Sequence, residues 1–379
     1  MNRILVFVIL SFIIGFLACT ESRKKVLENI DIHVTDDNAT YETKALYYNL
    51  KKLVSKKILF GHQDATAYGI GWKNEDLRSD VNDVCGSYPA IYGWELSGIG
   101  GAMNIDSVNF DRIKFWVKSA FERGGINTFS WHMNNPVSYG NAWDTTHAVQ
   151  DILPGGSKHE YFIKQLDLVA DFFRDLKSKK GTLIPVFFRP FHENNGSWFW
   201  WGAKYCSSEQ YKDLYRFTVK YLKETRNVHN LLYVYAPDIF NTSDVYLERY
   251  PGNEYVDVLG FDDYYDFQKA ETTPNVVKQL EIVVKLANEN DKLAAFTETG
   301  SEAIKDNNWF TESLLNPIKT DSLARQISWI MVWRNANKKH HFAPYPGHAS
   351  VRDFIKFEND PITGFEDDLP PMYEVVENH

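Results

Sequence analysis

Short apolar runs rich in β-branched and aromatic residues recur along the chain, and each is followed by an amphipathic or polar stretch. Parallel strands that are buried on both faces carry nearly continuous apolar runs rather than a clean alternation. We therefore interpret these runs as buried parallel strands. They cover residues 58–62, 89–96, 126–132, 183–192, 231–236, 256–264, 293–297 and 327–333.

The segments between the runs carry apolar residues at helical spacing. Leu166, Val169 and Phe173, for example, recur every three or four residues and predict one buried helix face. Ser207 or Ser208 suits the N-cap of another helix, because a hydroxyl there can accept a backbone N–H. We predict helices over residues 106–122, 161–177, 208–224, 273–287 and 349–357.

Strands that alternate with helices predict βαβ units and a parallel sheet covered by helices. With eight such units, we predict an α/β fold of the closed (β/α)8 TIM-barrel type, forming a single catalytic domain over residues 41–379. An open dinucleotide-binding sheet would place a glycine-rich fingerprint after its first strand. The segment GHQDA at residues 61–65 occupies that place instead.

The charge balance bears on the partner. A net charge of -9 and a pI of about 5.7 disfavour nucleic acid or an anionic membrane surface as a partner, since both require basic patches. The acidity is compatible with a neutral sugar polymer, although solubility alone also explains it. Aromatic residues make up 15% of the chain, and many tryptophans share segments with the candidate acids described below.

The N-terminus has the features of an export signal. Arg3 precedes a hydrophobic run over residues 4–17, and the run ends in a segment that resembles a bacterial lipobox at Cys19. We predict a signal peptide over residues 1–18, lipidation of Cys19 and a tether over residues 19–40. The alternative is a plain signal peptide with an incidental cysteine. The prediction is an exported lipoprotein of a Gram-negative bacterium, anchored in the periplasm or outer membrane, with membrane contact only through the lipid. The periplasmic face is favoured because no acidic run follows the cysteine.

Two further cysteines remain in the mature chain. In the predicted barrel, Cys85 precedes the second strand at the bottom, whereas Cys206 follows the fourth strand at the top. Although export permits disulfides, we expect no bond between two residues at opposite ends of the barrel.

Two glutamates end predicted strands. Active sites of these barrels form at the C-terminal ends of the strands, where the fourth run leads to Glu193 and the seventh to Glu298. Cleavage of a glycosidic bond needs two carboxyl groups, because one protonates the leaving oxygen while the other attacks or activates water. The alternative for either residue is a structural ion pair, such as Glu193 with Arg189. Together, the two acids favour a glycoside hydrolase.

The segments around both acids resemble those of a known protein family. RPFHENNGSWFWWG at residues 189–202 and FTETG at residues 296–300 resemble glycoside hydrolase family 26, whose best-known members are β-1,4-mannanases. The resemblance extends over most of the mature chain, from FGHQDA at residues 60–65 through GFDDYY at 260–265 to MVWRNA at 331–336.

The resemblance implies a retaining double displacement, with Glu193 as acid/base and Glu298 as nucleophile. It implies no metal or organic cofactor, and a β-mannan polysaccharide or manno-oligosaccharide as substrate. Arg189 is expected to hold Glu298, and Tyr264, or less clearly Tyr265, resembles the tyrosine that hydrogen-bonds the nucleophile. Other predicted sugar contacts are His132, His192, Trp198 and Trp333, with His62 and Trp94 as weaker candidates.

Several alternatives stay open. The same fold could act on mixed-linkage β-glucan or β-1,3-xylan, and a barrel without catalysis could serve as a sugar-binding lipoprotein. The histidine pair could bind zinc, but no third ligand follows at a zinc-site spacing. Residues 134–158 are long and rich in Gly, Asn and Asp, and we hypothesise that they wall the cleft. A monomer is expected.

Overall fold

The computed structural model describes residues 30, 32–266 and 273–376. Its centre is a closed barrel of parallel strands, in which the first strand pairs with both the second and the eighth. This confirms the predicted (β/α)8 barrel, and every predicted run overlaps one strand. The barrel strands are β1 Ile58–Gln63, β2 Ile91–Glu95, β3 Ile126–Trp131, β4 Val186–Pro190, β5 Leu231–Tyr235, β6 Val258–Asp263, β7 Leu293–Thr299 and β8 Trp329–Val332.

Helices surround the barrel, and at least one follows each strand. The predicted helices are all present, with ends that differ by a few residues. The α-helices of the described residues, predicted or not, are α1 Tyr41–Leu53, α2 Asp80–Cys85, α3 Phe110–Arg123, α4 Val149–Ile152, α5 His159–Asp175, α6 Ser208–Lys220, α7 Ser243–Leu247, α8 Thr273–Glu289, α9 Asn316–Thr320 and α10 Val351–Glu358.

Local sequence explains where these helices begin and end. Ser207, rather than Ser208, is the N-cap of α6, and it forms a reciprocal capping box with Gln210. Asn109 caps α3 by accepting two backbone N–H groups. That helix ends at Gly124, whose φ of 102° is a conformation that side chains disfavour.

Two apolar layers stabilise the fold. One lies between the strands and the helices, and the other fills the barrel itself. Inside the barrel, the rings of Phe187 and Trp329 lie 4.9 Å apart. Leu46 and Leu50 of α1 pack against this inner layer and close the bottom of the barrel. The top of the barrel, at the C-terminal ends of the strands, is therefore the end available for a site.

The segment before α1 belongs to the packed domain. Thr35 donates its backbone N–H to buried Asp257, and Asp36 and Ala39 are also buried. The predicted tether over residues 19–40 therefore overlaps the packed domain from about Thr35 onward. The predicted signal peptide and Cys19 lie outside the described residues. Within the described ranges, no helix combines the length and apolarity needed to cross a bilayer.

The two described cysteines have separate surroundings, and both thiols are free. The Cys85 sulfur lies 3.2 Å from the carbonyl oxygen of Val81 within its own helix. Cys206 is buried beyond β4, where Arg249 donates to its sulfur over 3.0 Å.

Candidate active site

A β-bulge shapes the end of β7. Phe261 of β6 pairs with Phe296, but the next residue, Asp262, pairs with Glu298 rather than with Thr297. Bulges re-aim side chains, and they are frequent beside active sites. Because of this shift, Asp262 and Glu298 stand opposite each other at the mouth of the barrel, where both are buried.

Arg189 connects these two carboxylates. It stands two residues after Phe187 on β4, so its side chain also points into the barrel. One guanidinium nitrogen donates to Glu298 Oε2, and the other donates to Asp262 Oδ2 over 2.5 Å. Tyr264 donates its hydroxyl to Glu298 Oε1 over 2.9 Å. Both oxygens of Glu298 therefore accept a hydrogen bond, which fixes the orientation of the carboxylate.

Glu193 has a different environment. Its φ is +52°, an uncommon value for a residue with a side chain, and its backbone N–H donates to the carbonyl of Ala236 over 2.7 Å. Trp198 donates its indole N–H to Glu193 Oε2 over 2.5 Å. Burial, followed by the nearby charges of Glu298 and Asp262, raises the pKa of Glu193 well above its usual range. Glu193 therefore holds its proton to higher pH than an ordinary glutamate does.

A second charged pair lies beside the two acids. Glu95, at the end of β2, accepts the backbone N–H of His132 over 2.8 Å, and its other oxygen lies 2.7 Å from His132 Nδ1. Burial alone would lower the pKa of His132, but the charge and hydrogen bond of Glu95 outweigh it and raise the pKa. The ring of His192 packs edge-on against that of His132 at 4.5 Å.

These groups open into one cleft of about 320 Å³. A larger surface cavity of about 690 Å³ lies beside α8, but Asp266 is the only acidic residue among the described ones that line it. The predicted site residues that line the catalytic cleft are His132, His192, Glu193, Trp198, Tyr264, Glu298 and Trp333. The cleft also contains Trp143, Phe199, Glu302, His340 and Phe342, which the sequence did not single out.

With this geometry in view, comparison with known proteins identifies the family. The profile of glycosyl hydrolase family 26 matches residues 35–347, most of the chain. The chain belongs to glycosyl hydrolase family 26. The resemblance drawn from the two acid-bearing motifs is thereby confirmed.

Two relatives match this family 26 protein over most of its length. A mannan endo-1,4-beta-mannosidase of Bifidobacterium adolescentis is 37% identical over 86% of the chain, although the chain spans only 35% of that protein. A mannan endo-1,4-beta-mannosidase of Bacillus subtilis is 30% identical over 93% of the chain and 97% of its own length.

Solved family 26 structures superpose closely. A beta-mannanase from Bacteroides ovatus has a TM-score of 0.86 and 44% identity, covering 90% of this chain and 99% of its own. A modular endo-beta-1,4-mannanase from Cellulomonas fimi has a TM-score of 0.85 and 36% identity, covering 91% of this chain and 80% of its own.

The structure places two of the predicted sugar contacts, His62 and Trp94, away from the catalytic cleft. Trp94 is 0% exposed, stacks on Trp116 of α3 and donates its indole N–H to Asn127. His62 is 1% exposed and does not line the cleft. Side chains alternate along a strand, and both residues fall on the outward face, next to inward Gln63 and Glu95. On β2, the residue that points into the barrel is Glu95, one position after Trp94.

The structure also separates the two neighbouring tyrosines. Tyr264 contacts Glu298, whereas the side chain of Tyr265 is 65% exposed and lies in the cavity beside α8. Trp143 was missed for a different reason. It lies in the loop after β3, where no periodic pattern shows which side chain will reach the cleft.

Three ligand-type side chains cluster within the site. His192, Asp262 and Glu298 place donor atoms within 4.8 Å of one another. Arg189, however, already donates to both carboxylates, and its guanidinium supplies the positive charge at that point. A metal ion would have to displace this ion pair, so this donor set does not fit a resident metal.

Proposed function

We propose that this protein is a retaining β-mannanase that cleaves β-1,4-mannosidic linkages, with Glu193 as acid/base and Glu298 as nucleophile. The observation that carries the proposal is the pair of carboxyl groups facing one cleft in contrasting environments. The substrate follows from the relatives, two of which are mannan endo-1,4-beta-mannosidases and two of which are β-mannanases of known structure.

In the first step, the Glu298 carboxylate attacks the anomeric carbon of the sugar at the cleavage point. The bond from that carbon to the leaving oxygen breaks, and the oxygen takes the proton of Glu193. The result is a glycosyl ester on Glu298. Arg189 and Tyr264 orient the attacking carboxylate, while the raised pKa of Glu193, caused first by burial, keeps the proton available.

In the second step, water attacks the same carbon, Glu193 takes its proton, and the ester bond to Glu298 breaks. Glu193 must now act as a base, so its pKa must fall. Apart from burial, the charge of Glu298 contributes most to raising that pKa, and the ester removes that charge. The glycosyl–enzyme therefore prepares Glu193 for its second role.

Aromatic and imidazole groups around the acids bind the sugars in this proposal. Trp333 and Trp198 offer indole faces on which the apolar face of a pyranose can stack. His132 and His192 are positioned to hydrogen-bond hydroxyl groups at the cleavage point. Trp198 also touches Glu193, which places it near the leaving group.

A time course of products on linear β-1,4-mannan tests the proposal, with mixed-linkage β-glucan and β-1,3-xylan run in parallel. We expect cleavage of mannan and first products of retained β configuration by proton NMR. Cleavage of another polymer alone would overturn the substrate but keep the catalytic pair. No cleavage of any polymer would favour a sugar-binding protein.

We further propose that the loop after β3 walls the cleft through Trp143. Asn135 ties this loop together, donating to the carbonyls of Asp144 and Thr146 over 2.8 and 2.7 Å. The Trp143 ring stacks on His132 at 5.2 Å with an interplanar angle of 14°, and the side chain is 45% exposed. His132 therefore holds one face of the indole, and the exposed part of the Trp143 side chain lines the cleft.

Trp143→Ala should raise KM for short manno-oligosaccharides about 10-fold, since a buried aromatic contact can contribute that much binding. We expect kcat to change less, because stacking binds the ground state and the transition state alike. Tyr139→Ala is the matched control, since Tyr139 lies in the same loop, is 57% exposed and packs on Tyr161 away from the cleft. An equal rise of KM in both variants would show a general loop effect and contradict the proposal.

A further inference from the structure

Asp80 is a buried carboxylate that connects two loops at the top of the barrel. It is the first residue of α2 and is 1% exposed. Its Oδ1 accepts the indole N–H of Trp72 over 2.7 Å, and its Oδ2 accepts the backbone N–H of Ile70 over 2.9 Å. Oδ2 also accepts the side-chain amide of Asn335 over 2.8 Å. Ile70 and Trp72 belong to the loop after β1 and Asn335 to the loop after β8, so the carboxylate joins the loops of two paired strands.

Hydrogen bonds support this carboxylate in place of an ion pair. Among the residues that the structure describes, no lysine or arginine pairs with Asp80. Its charge acts on two buried histidines, His62 and His341. Burial, however, lowers the pKa of His62 to about 4 and the pKa of His341 below its usual value, so both rings are neutral at pH 7. The three N–H donors therefore compensate for the water that Asp80 lost on folding.

Asp80 fixes the direction of the Asn335 amide, because a carboxylate only accepts hydrogen bonds. The amide nitrogen must face Asp80, which leaves the amide oxygen to face the other way. That oxygen accepts the backbone N–H groups of Phe342 and Ala343, each over 3.0 Å. The amide nitrogen also donates to the carbonyl of Ala343 over 3.0 Å. The backbone at Phe342 is therefore held by an amide whose orientation depends on Asp80.

Phe342 contacts two groups beside the nucleophile. Its ring lines the catalytic cleft and packs edge-on against the ring of Tyr264 at 5.6 Å, with an interplanar angle of 68°. Gly300 leaves room for the same ring, since a Cβ there would lie 2.5 Å from it. Tyr264 donates to Glu298, and Gly300 follows Glu298 by two residues. A displacement of Phe342 would therefore move the hydroxyl that orients the nucleophile.

We propose that Asp80 is a positioning residue for the reaction. Through Asn335 and the Phe342 ring, it keeps Tyr264 in place to hydrogen-bond Glu298. The inference rests on the proposed function, since that hydrogen bond matters only if Glu298 attacks the sugar. Asp80 itself does not line the catalytic cleft, so its loss should leave the sugar-binding surfaces unchanged. Small displacements of a reacting group slow the chemical step, so the effect should fall on kcat rather than on KM.

Asp80→Asn tests this role with almost no change of volume. The amide keeps one acceptor oxygen, so at least one of the three N–H donors must face a nitrogen. We expect kcat on manno-oligosaccharides to fall about 10-fold, with KM within about 2-fold of the wild-type value. Tyr264→Phe removes the hydroxyl through which Asp80 acts. In that background, Asp80→Asn should lower kcat by less than about 2-fold, because the effects of coupled residues do not add.

Asp83→Asn is the matched control, because Asp83 lies in the same helix, is exposed and pairs with Arg78. It should leave kcat and KM unchanged in both backgrounds. An equal loss from Asp80→Asn in both backgrounds would show a general loosening of the structure, and an unchanged kcat would show that Asp80 does not act on the site; either result overturns the inference. If Asp80→Asn does not fold, Asn335→Ala, which removes the link to Phe342, is measured in the same backgrounds with the same expectations. A wild-type protein that leaves mannan and manno-oligosaccharides intact would instead refute the proposed function.

Discussion

Glu298→Ala should lower kcat on mannan by about 10⁴-fold or more, because in the proposed mechanism Glu298 forms the covalent intermediate. Glu298 is held by Arg189 and Tyr264, and both oxygens are committed to that geometry. A water molecule in the space left by the carboxylate would carry no negative charge and would not be oriented to attack the sugar. Affinity for manno-oligosaccharides should persist, since the aromatic lining of the cleft is intact.

Chemical rescue distinguishes the two acids. With a 4-nitrophenyl substrate and added azide, Glu298→Ala should form the α-glycosyl azide, because the anion takes the place of the carboxylate and inverts the centre. Glu193→Ala should form the β-azide, since the nucleophile still acts and azide replaces activated water. Glu160→Ala, which removes an exposed acid at the start of α5, is the control and should behave as wild type. Rescue with the same configuration in both variants would refute the assignment of roles.

The barrel was predictable because each strand is buried on both faces. Runs such as residues 183–192 and 293–297 have no polar alternation and are bounded by helical patterns, and few folds accommodate eight of them. The predicted ends of the strands were less accurate than the predicted positions of the strands. The bulge that brings Glu298 opposite Asp262 depends on pairing between neighbouring strands, so nothing within β7 alone announces it.

The site residues at strand ends were also more predictable than those in loops. The resemblance to family 26 implied the contacts of Arg189 and Tyr264 with Glu298, and the convergence of strand ends at one end of the barrel makes them possible. Trp94 lies outside the cleft because side chains alternate along β2, and its neighbour Glu95 takes the inward position. Trp143 was not predictable, since its position depends on the stack with His132 and on the loop that Asn135 ties together.

Arg189→Met should lower the free energy of unfolding at neutral pH by about 3–5 kcal/mol, the usual cost of removing one partner from a buried ion pair. Here the loss leaves two carboxylates, Asp262 and Glu298, without their shared cation in a buried site. Urea denaturation at pH 7 measures it. Arg78→Met is the control, because Arg78 pairs with Glu75 and Asp83 in an exposed position, and it should cost no more than about 1 kcal/mol.

The loss should depend on pH with a definite sign. Burial already raises the pKa of Asp262, and Arg189 is the main influence that lowers it, so the variant raises that pKa further. A carboxyl group with a raised pKa in the folded state destabilises the fold once the pH exceeds its unfolded pKa of about 3.9. The penalty grows until the pH passes the folded pKa. The difference between Arg189→Met and wild type should therefore be small near pH 4 and large at pH 7. An equal difference at both pH values would mean that Arg189 stabilises the barrel through packing rather than through its charge.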